Sequence, residues 1–411
     1  MRDNSLEAFF VLVRAGLFPV RGDGFMVHGQ DKRQSRAIES LFRDVDWNEV
    51  YQLAQEQSVQ GIVLQGIERF KNHNVDLRSA TTGDACQSKN LNFDIPQILL
   101  LQWIGEVQVI EQQNKEMNAF VADLIEKLRQ NDIYALLVKG QGVAQCYEKP
   151  LWRCPGDVDL FLSDSNYENA KSLLLPTASH VDEEGISAKH LGMTIDGFVV
   201  ELHGTLHGGL SSRVDGELDD VKNDTFYKGN VCSWNNSGVQ VFLLGMENNA
   251  FYVFTHILQH FYKEGLGLRQ ICDWCRLLYT YKDSLNCELL EKRIRRAGLM
   301  SEWKAFGALA IEYLGFPKEA MPFLDVRRKK EDVRWRKKAD RIMEFILKSG
   351  NMGHNRDMSH FSKYPYLIRK CVSMCRRIGD LINHARIFPL DSLRFFPRIM
   401  WNGVVSAMRG E

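Results

Sequence analysis

Residues 136–162 carry the strongest structural signal in the sequence: two short apolar segments separated by a glycine turn and a polar loop. The second segment contains Asp157 and Asp159, which alternate with apolar residues. Residues two apart in a β-strand project from the same face, ~6.5–7 Å apart along the chain, so both carboxylates are predicted to emerge together. Two like charges in an apolar strand are unfavourable unless a cation compensates them. We expect that cation to be Mg²⁺, which prefers oxygen ligands.

A third carboxylate, Glu201, follows in a second apolar segment, Phe198–His203. Carboxylates on neighbouring strands are the ligands that metal-assisted phosphoryl and nucleotidyl transfer requires. His203 lies two residues after Glu201 and shares its face of the strand, so both are candidates for the site. The sequence therefore predicts Asp157, Asp159 and Glu201 as the catalytic and metal-binding residues. A solvated strand face, or a salt pair between Glu201 and a lysine, is the alternative.

A lysine-glycine turn precedes the acidic strand, at the predicted junction of a strand and a short helix. Backbone N–H groups at the start of a helix bind phosphate, and glycine lets the phosphate approach closely. We therefore expect Lys139, Gly140 and Gln141 to contact a polyphosphate, although an ordinary tight turn is the alternative. Arg153 precedes Asp157 by four residues and is expected to pair with a phosphate or with an acid of the site.

Two predicted helices after the core, Met246–Lys263 and Leu268–Tyr281, carry polar residues among apolar ones. Arg269 and Asp273 are spaced four apart, which favours an ion pair along one helix face. We expect both residues and His256 to face a cleft opposite the carboxylates, with His256 near the base or ribose of a nucleotide. A histidine packed in the core and a solvated ion pair are the alternatives.

These segments, taken in order, resemble a known family. Its pattern is a Lys-Gly turn, a Tyr-x-x-Pro, an Arg, an Asp-hydrophobic-Asp strand and a Glu-hydrophobic-His strand. This chain shows them as Lys139-Gly140, Tyr147 with Pro150, Arg153, Asp157-Val158-Asp159 and Glu201-Leu202-His203. The chain is thus similar to the bacterial uncharacterised nucleotidyltransferase family, within the superfamily that includes polymerase β. The similarity covers most of residues 40–350.

The resemblance implies an α+β fold, with a small mixed-sheet nucleotidyltransferase core between helical amino- and carboxy-terminal domains. It implies Mg²⁺-dependent transfer of a nucleoside monophosphate from an NTP to the hydroxyl of an acceptor, with a small molecule or sugar favoured over nucleic acid. Glu201 would then orient or deprotonate the acceptor, while Lys139 and its turn would hold the β- and γ-phosphates. Two other functions stay open: toxin-like transfer to tRNA or protein, and NTP binding by a site that has lost catalysis.

Hydrophobic periodicity predicts how the chain is divided around this core. The predicted units are a helical amino-terminal domain (1–112), the nucleotidyltransferase α/β core (113–245), a helical domain walling the cleft (246–349) and a basic aromatic tail (350–411). Core strands are predicted at Ala135–Val138, 157–162, 190–195, Phe198–His203 and 239–243, with Asp196-Gly197 as a hairpin turn. A loop is predicted at 77–92 and an irregular excursion at 208–238, which is rich in Gly, Ser, Asn and Asp.

Composition excludes several classes of protein. Lys+Arg and Asp+Glu both number 52, so the whole chain is not an electrostatic binder of nucleic acid. Nine cysteines spread over a long chain indicate a reducing compartment, and Cys272 and Cys275 are expected to be buried rather than to bind metal or act in redox. No apolar run reaches the ~18 residues of a membrane span, so we expect a cytoplasmic protein. The basic tail is expected to pack on its own domain, with an anionic membrane, RNA or another subunit as alternatives.

Overall fold

The computed structural model describes residues 4–18, 40–79, 94–184, 189–263, 265–324, 329–351 and 365–409. These residues form a mixed α+β fold, in which helices from both ends of the chain flank a seven-stranded sheet, as predicted. The strands are β1 (Ala135–Val138), β2 (Val158–Leu162), β3 (His180–Val181), β4 (His190–Ile195), β5 (Phe198–His203), β6 (Val231–Asn236) and β7 (Val239–Leu244).

Helices precede, interrupt and follow the part of the chain that forms the sheet. Those before it are α1 (Asn4–Leu17), α2 (Trp47–Glu56), α3 (Gln60–Ser79) and α4 (Gln97–Arg129). Those within it are α5 (Gly140–Ala144), α6 (Asp164–Leu174) and α7 (Ser212–Phe226). Those after it are α8 (Met246–Lys263), α9 (Leu268–Tyr281), α10 (Cys287–Ala297), α11 (Met300–Leu314), α12 (Lys329–Ser349), α13 (Tyr366–Ile387) and α14 (Pro389–Arg409).

The order of the strands across the sheet, β3-β4-β5-β2-β1-β7-β6, brings the two acidic segments side by side. β2 runs antiparallel to β1 and parallel to β5, and the register sets Asp159 opposite Glu201. All five residues of β2 are buried, which follows from its apolar sequence and its position inside the sheet. The sheet therefore places an acid from β2 and an acid from β5 next to each other on one buried surface.

The β4–β5 hairpin forms at the predicted turn. Asp196 and Gly197 both have positive φ, 50° and 84°, as the two central residues of a type I′ turn require. This turn fixes the register of the hairpin, so that His190 lies directly opposite His203. The turn thus decides which residues of β4 stand beside the site on β5.

Amino-terminal helices pack closely on each other and on the carboxy-terminal half. A Cβ atom on Gly16 would lie 1.9 Å from the Ile62 carbonyl oxygen, so only glycine permits α1 to approach α3 this closely. At the end of α1, Arg14 Nε donates to the Tyr313 carbonyl of α11 at 2.9 Å. The long helix α4 runs through residues 112 and 113 without a break. The division of the chain into four domains stays a prediction.

The prediction of an irregular excursion at 208–238 is wrong. This range contains α7 and β6, which pairs antiparallel with β7. Ser211 caps the start of the helix, because its Oγ accepts from the Val214 amide at 3.3 Å. The helix buries apolar residues at helical spacing, including Val214, Leu218 and Val221. Because the segment contains many acidic and amide residues, its composition does not reveal this apolar face. The turn at Ser237 and Gly238, both with positive φ, is the hairpin signal between β6 and β7.

Some predicted segments lie outside the described residues. α3 extends to Ser79, and residues 80–92 of the predicted loop are not among those described. In the tail, residues 352–364 lie outside them, whereas α13 and α14 pack on the chain itself. Phe395 of α14, for example, is buried with its ring 5.0 Å from that of Tyr262. Contact of the tail with a membrane, RNA or a second subunit stays a prediction.

The cysteine pair in α9 is a packing feature, as predicted. Cys272 and Cys275 are both fully buried thiols without a disulfide. Burial raises the pKa of both, so each keeps its proton and is a poor nucleophile or metal ligand.

In the ranges that the structure describes, no helix combines the length and apolar character needed to cross a membrane.

Candidate active site

Three carboxylates meet at the junction of β2 and β5. Each of Asp157, Asp159 and Glu201 offers an oxygen, and these oxygens all lie within 4.8 Å of one another. Asp159 and Glu201 come together because β2 and β5 are adjacent in register, and Asp157 immediately precedes β2 on the same face. The structure thus assembles the three predicted metal-binding residues in one cluster.

A lysine and a histidine contact the most buried of these acids, Asp159. Lys139 Nζ lies 2.7 Å from Asp159 Oδ1, and His203 Nε2 lies 2.8 Å from the same oxygen. Lys139 reaches it from the end of β1, with φ 57° and ψ −145°, a backbone region that residues with a side chain rarely adopt. Such a conformation costs ~1–3 kcal/mol and persists only where the surroundings enforce it. Here the strained residue delivers its ammonium group to the acid cluster.

The electrostatics distinguish the three acids. Burial and then the negative charge of Asp159 raise the pKa of Asp157, and Lys139 only partly offsets them. Burial would also raise the pKa of Glu201, but hydrogen bonds from His190 and His203 outweigh it and hold that pKa well below the usual range. Lys139 stays charged, because burial alone would lower its pKa but the Asp159 carboxylate outweighs this effect and raises it. Asp157 would therefore be stabilised in its charged form by an added cation.

The donor set fits a hard divalent metal. Three carboxylate oxygens on two rigid strands offer the oxygen ligands that Mg²⁺ and similar cations prefer. A divalent cation would also compensate the repulsion that raises the pKa of Asp157. The cluster could therefore hold a divalent metal through Asp157, Asp159 and Glu201.

Behind the cluster, a buried ion pair fixes the loop that leads into β2. Arg153 Nε and Nη2 each donate to a carboxylate oxygen of Asp273 at 2.8 Å, and Tyr147 Oη donates to Asp273 Oδ1 at 2.8 Å. The predicted Arg269–Asp273 pair is thus wrong. Arg269 Nη1 instead donates to the carbonyls of Pro155 at 2.7 Å and Cys154 at 3.2 Å. The planar fork of Arg153 thus donates to both carboxylate oxygens of Asp273, the geometry of a strong charge-assisted pair.

Gln141 has its side chain on the far side of the turn from the acids. Its Nε2 donates to Asn118 Oδ1 at 2.8 Å and to Asn114 Oδ1 at 3.1 Å, both on α4. The buried Asn114 in turn donates to the carbonyls of Leu151 and Arg153 at 2.8 Å. Gln141 therefore anchors α5 and the loop to α4, and any contact with phosphate through its backbone N–H stays a prediction.

The acids line a cavity of about 570 Å³ whose opposite wall comes from α8 and α9. His256 lies on that wall, with Nε2 2.9 Å from His260 Nε2 one turn on. Burial and the charge of Lys139 hold the pKa of His256 well below its usual value, so its ring is neutral. The other predicted site residues on the cavity surface are Lys139, Gly140, Arg153, His203, Arg269 and Asp273.

The cavity also includes residues that the sequence did not predict, among them His190, Tyr252 and Arg398. His190 could have been found, because the Asp196-Gly197 turn pairs it with His203. Arg398 could not, since it comes from α14 and reaches the cavity only through the packing of the tail. Its Nη2 lies 2.6 Å from Asp215 Oδ2 of α7.

A sheet that presents clustered carboxylates to a cavity, with cations beside them, is typical of enzymes that transfer phosphoryl or nucleotidyl groups with divalent metals. The sequence profile of the uncharacterised nucleotidyltransferase family matches residues 43–315, well over half of the chain. The chain therefore belongs to this family of nucleotidyltransferases, which confirms the family resemblance of its motifs. Neither the curated proteins nor the solved structures contain a match to the sequence.

Proposed function

We propose that the protein transfers a nucleoside monophosphate from an NTP to the hydroxyl of a small acceptor such as a sugar, and releases pyrophosphate. The observation that carries this proposal is the cluster of Asp157, Asp159 and Glu201 at one end of the cavity. The volume of about 570 Å³ supports a small acceptor, because sites for small molecules occupy ~300–1,000 Å³. The Asp-hydrophobic-Asp and Glu-hydrophobic-His strand motifs, which resemble those of the superfamily that includes polymerase β, support membership of that superfamily.

Mg²⁺ bound by the three acids would supply charge neutralisation at the phosphates and at the attacking oxygen. The residues of the chain then have separate tasks. Asp159 on the buried strand β2, and Asp157 immediately before it, present their carboxylates together. Glu201, with its pKa held low, is ionised and able to accept a hydrogen bond from the acceptor hydroxyl or take its proton. The neutral His256 ring on the opposite wall is proposed to meet the base or ribose.

The triphosphate is proposed to lie against Lys139, the Gly140 turn and Arg269. Among the cations that the described residues place on the cavity, Arg269 differs from Arg153 and Lys139 because its guanidinium bonds carbonyl oxygens rather than a carboxylate. Burial, and then the charge of Arg153, lowers the pKa of Arg269, and the nearby carboxylates of Asp273 and Asp157 compensate this only in part. A phosphate of the NTP would supply that compensation.

Turnover tests the proposed function. Full-length protein, each of the four NTPs and Mg²⁺ are incubated with a panel of sugars and small alcohols, and products are identified by mass spectrometry. The expected product is an acceptor heavier by one nucleoside monophosphate, formed together with pyrophosphate and absent when EDTA is added. NTP binding without any transferred nucleotide across a broad acceptor panel would favour a binding protein, and labelling of added tRNA or protein would favour the toxin-like alternative.

Arg269→Ala is expected to weaken NTP binding by roughly 10–100-fold and to leave nucleoside binding nearly unchanged. A hydrogen bond to a charged group contributes ~1.5–3 kcal/mol, and only the NTP carries the phosphates that would receive it. Calorimetry with the NTP and its nucleoside measures both affinities, and Lys139→Ala should act in the same direction. The control is Arg295→Ala, an exposed arginine on α10 paired with Glu291. Equal weakening of both ligands would mean that Arg269 only supports the loop at Cys154 and Pro155.

A further inference from the structure

Two histidines and one acid form a second group of possible metal ligands on the β4–β5 hairpin. His190, Glu201 and His203 each offer a nitrogen or oxygen within 4.8 Å of the others. The Nε2 atoms of His190 and His203 lie 3.1 Å and 3.4 Å from the same Glu201 oxygen, Oε2. The two rings face each other across the strands, with centroids 4.8 Å apart. All three side chains therefore converge on one point from a rigid hairpin.

This group differs in chemistry from the three-acid cluster that it adjoins. Two imidazoles and one carboxylate suit borderline cations such as Zn²⁺, and catalytic zinc sites use this ligand set with a further position left open. A set made only of carboxylate oxygens suits Mg²⁺. Glu201 belongs to both groups, so the two sets lie side by side and share one ligand.

The surroundings allow a cation to enter. The side chain of His190 is 39% exposed and that of His203 is 11% exposed, so the group spans from the rim of the cavity to its buried wall. His190, Glu201 and His203 all line the cavity, which leaves room for a water or a substrate oxygen as a further ligand. At Zn–N bonds of ~2.0–2.1 Å in a tetrahedral site, ligand atoms lie about 3.3 Å apart, which is close to the 3.1 Å and 3.4 Å that separate the two Nε2 atoms from Glu201 Oε2.

We propose that His190, Glu201 and His203 form a second metal site, which takes a borderline divalent cation of the zinc type and leaves a coordination position open to the cavity. The competing explanation is a hydrogen-bonded cluster in which a protonated His203 joins Asp159 to Glu201. The two explanations differ in one respect: only a metal site binds a cation through the two imidazoles.

Cobalt is the probe, because Co²⁺ occupies zinc sites and reports its ligands through its visible absorption spectrum. Full-length protein is titrated with Co²⁺ in excess Mg²⁺, and Zn²⁺ is then added. We expect one equivalent of Co²⁺ to bind and Zn²⁺ to displace it. His190→Ala and His190→Gln should each weaken Co²⁺ binding by about 100-fold or more. Loss of a residue that only hydrogen-bonds a metal ligand already lowers metal affinity roughly 10–100-fold, and loss of a ligand should have a larger effect. The matched control is His180→Ala on β3, whose side chain is 70% exposed and contacts Asp182.

The inference would be overturned by the absence of Co²⁺ binding in the wild type, or by binding that survives in both His190 variants when thermal unfolding shows them to be folded. Binding lost in Asp157→Asn but kept in the His190 variants would place the cation on the three acids and would also overturn it. The proposed function is judged separately. Mg²⁺-dependent transfer without a Co²⁺ site would contradict only the second site, and a Co²⁺ site without transfer would contradict only the proposed function.

Discussion

Replacing Asp157 with asparagine is expected to abolish Mg²⁺-dependent nucleotide transfer and, at the same time, to stabilise the folded protein at neutral pH. Metal-assisted charge stabilisation contributes several kcal/mol, and each ~1.4 kcal/mol corresponds to a tenfold change in rate, so the transfer rate should fall about a thousandfold or more. The stability should change in the opposite direction, because the charged form of Asp157 is unfavourable where it lies.

The sign of the stability effect follows from the pKa of Asp157. Burial and the charge of Asp159 raise this pKa above its ordinary value of 3.8. The folded state therefore binds a proton more tightly than the unfolded state, and this contribution to stability is lost as the pH rises through the folded pKa. Asparagine has no proton to lose. The free energy of unfolding of Asp157→Asn should thus exceed that of the wild type by a small amount at acid pH and by a larger amount at neutral pH.

Urea unfolding at acid and neutral pH, without added metal, measures this difference. The control is Asp283→Asn, whose side chain is 89% exposed beside Lys282 and should change neither stability nor transfer. Adding Mg²⁺ should stabilise the wild type but not Asp157→Asn, since a ligand that binds only the folded state adds to its stability. A variant that loses transfer and is also less stable than wild type at neutral pH would contradict the placement of Asp157 in a repulsive acid cluster.

Local patterns in the sequence predict which side chains the structure brings together in the acid cluster. Alternation over residues 157–159 puts Asp157 and Asp159 on one face, and the same rule puts Glu201 and His203 together on β5. The Asp196-Gly197 turn determines the partner of every residue in its hairpin, so even His190 was within reach of the sequence. Such features depend on residues a few positions apart and on the two-residue period of a strand.

Side-chain partners were predicted less well, because the sequence allows several and only the packing chooses among them. Asp273 has Arg269 one turn away, yet it pairs with Arg153, which is 120 residues distant. Gln141 follows the Lys139-Gly140 turn in sequence, but its side-chain amide donates to Asn114 and Asn118 of α4. Arg398 reaches the cavity through the docking of α14, which no local signal encodes. The helix α7 was missed for another reason: its polar face outweighed its apolar face in composition.

Asp273→Ala is expected to cause the largest loss of stability of any substitution considered, about 3–5 kcal/mol. Arg153 and Asp273 have side chains that are only 5% and 10% exposed, so the variant would leave the Arg153 guanidinium buried without its carboxylate. Tyr147 would also lose the acceptor of its hydroxyl, which lies in the same buried group. The loss of stability arises mainly because Arg153 and Tyr147 are left buried without their partner. The ion pair itself contributes little more stability than an apolar contact would.

The double variant Arg153→Met/Asp273→Leu separates these contributions. It removes both charges together and is expected to recover most of the stability, whereas Asp273→Asn, which keeps the shape but not the charge, should recover only part. Urea unfolding measures all three, with the exposed Asp283→Ala as the control expected to stay within ~0.5 kcal/mol of wild type. If Asp273→Ala lowered the stability no more than that control does, Arg153 would have to reach solvent or another acceptor. The loop from Arg153 to Asp157 would then be held chiefly by Asn114 and by the bonds of Arg269 to Cys154 and Pro155.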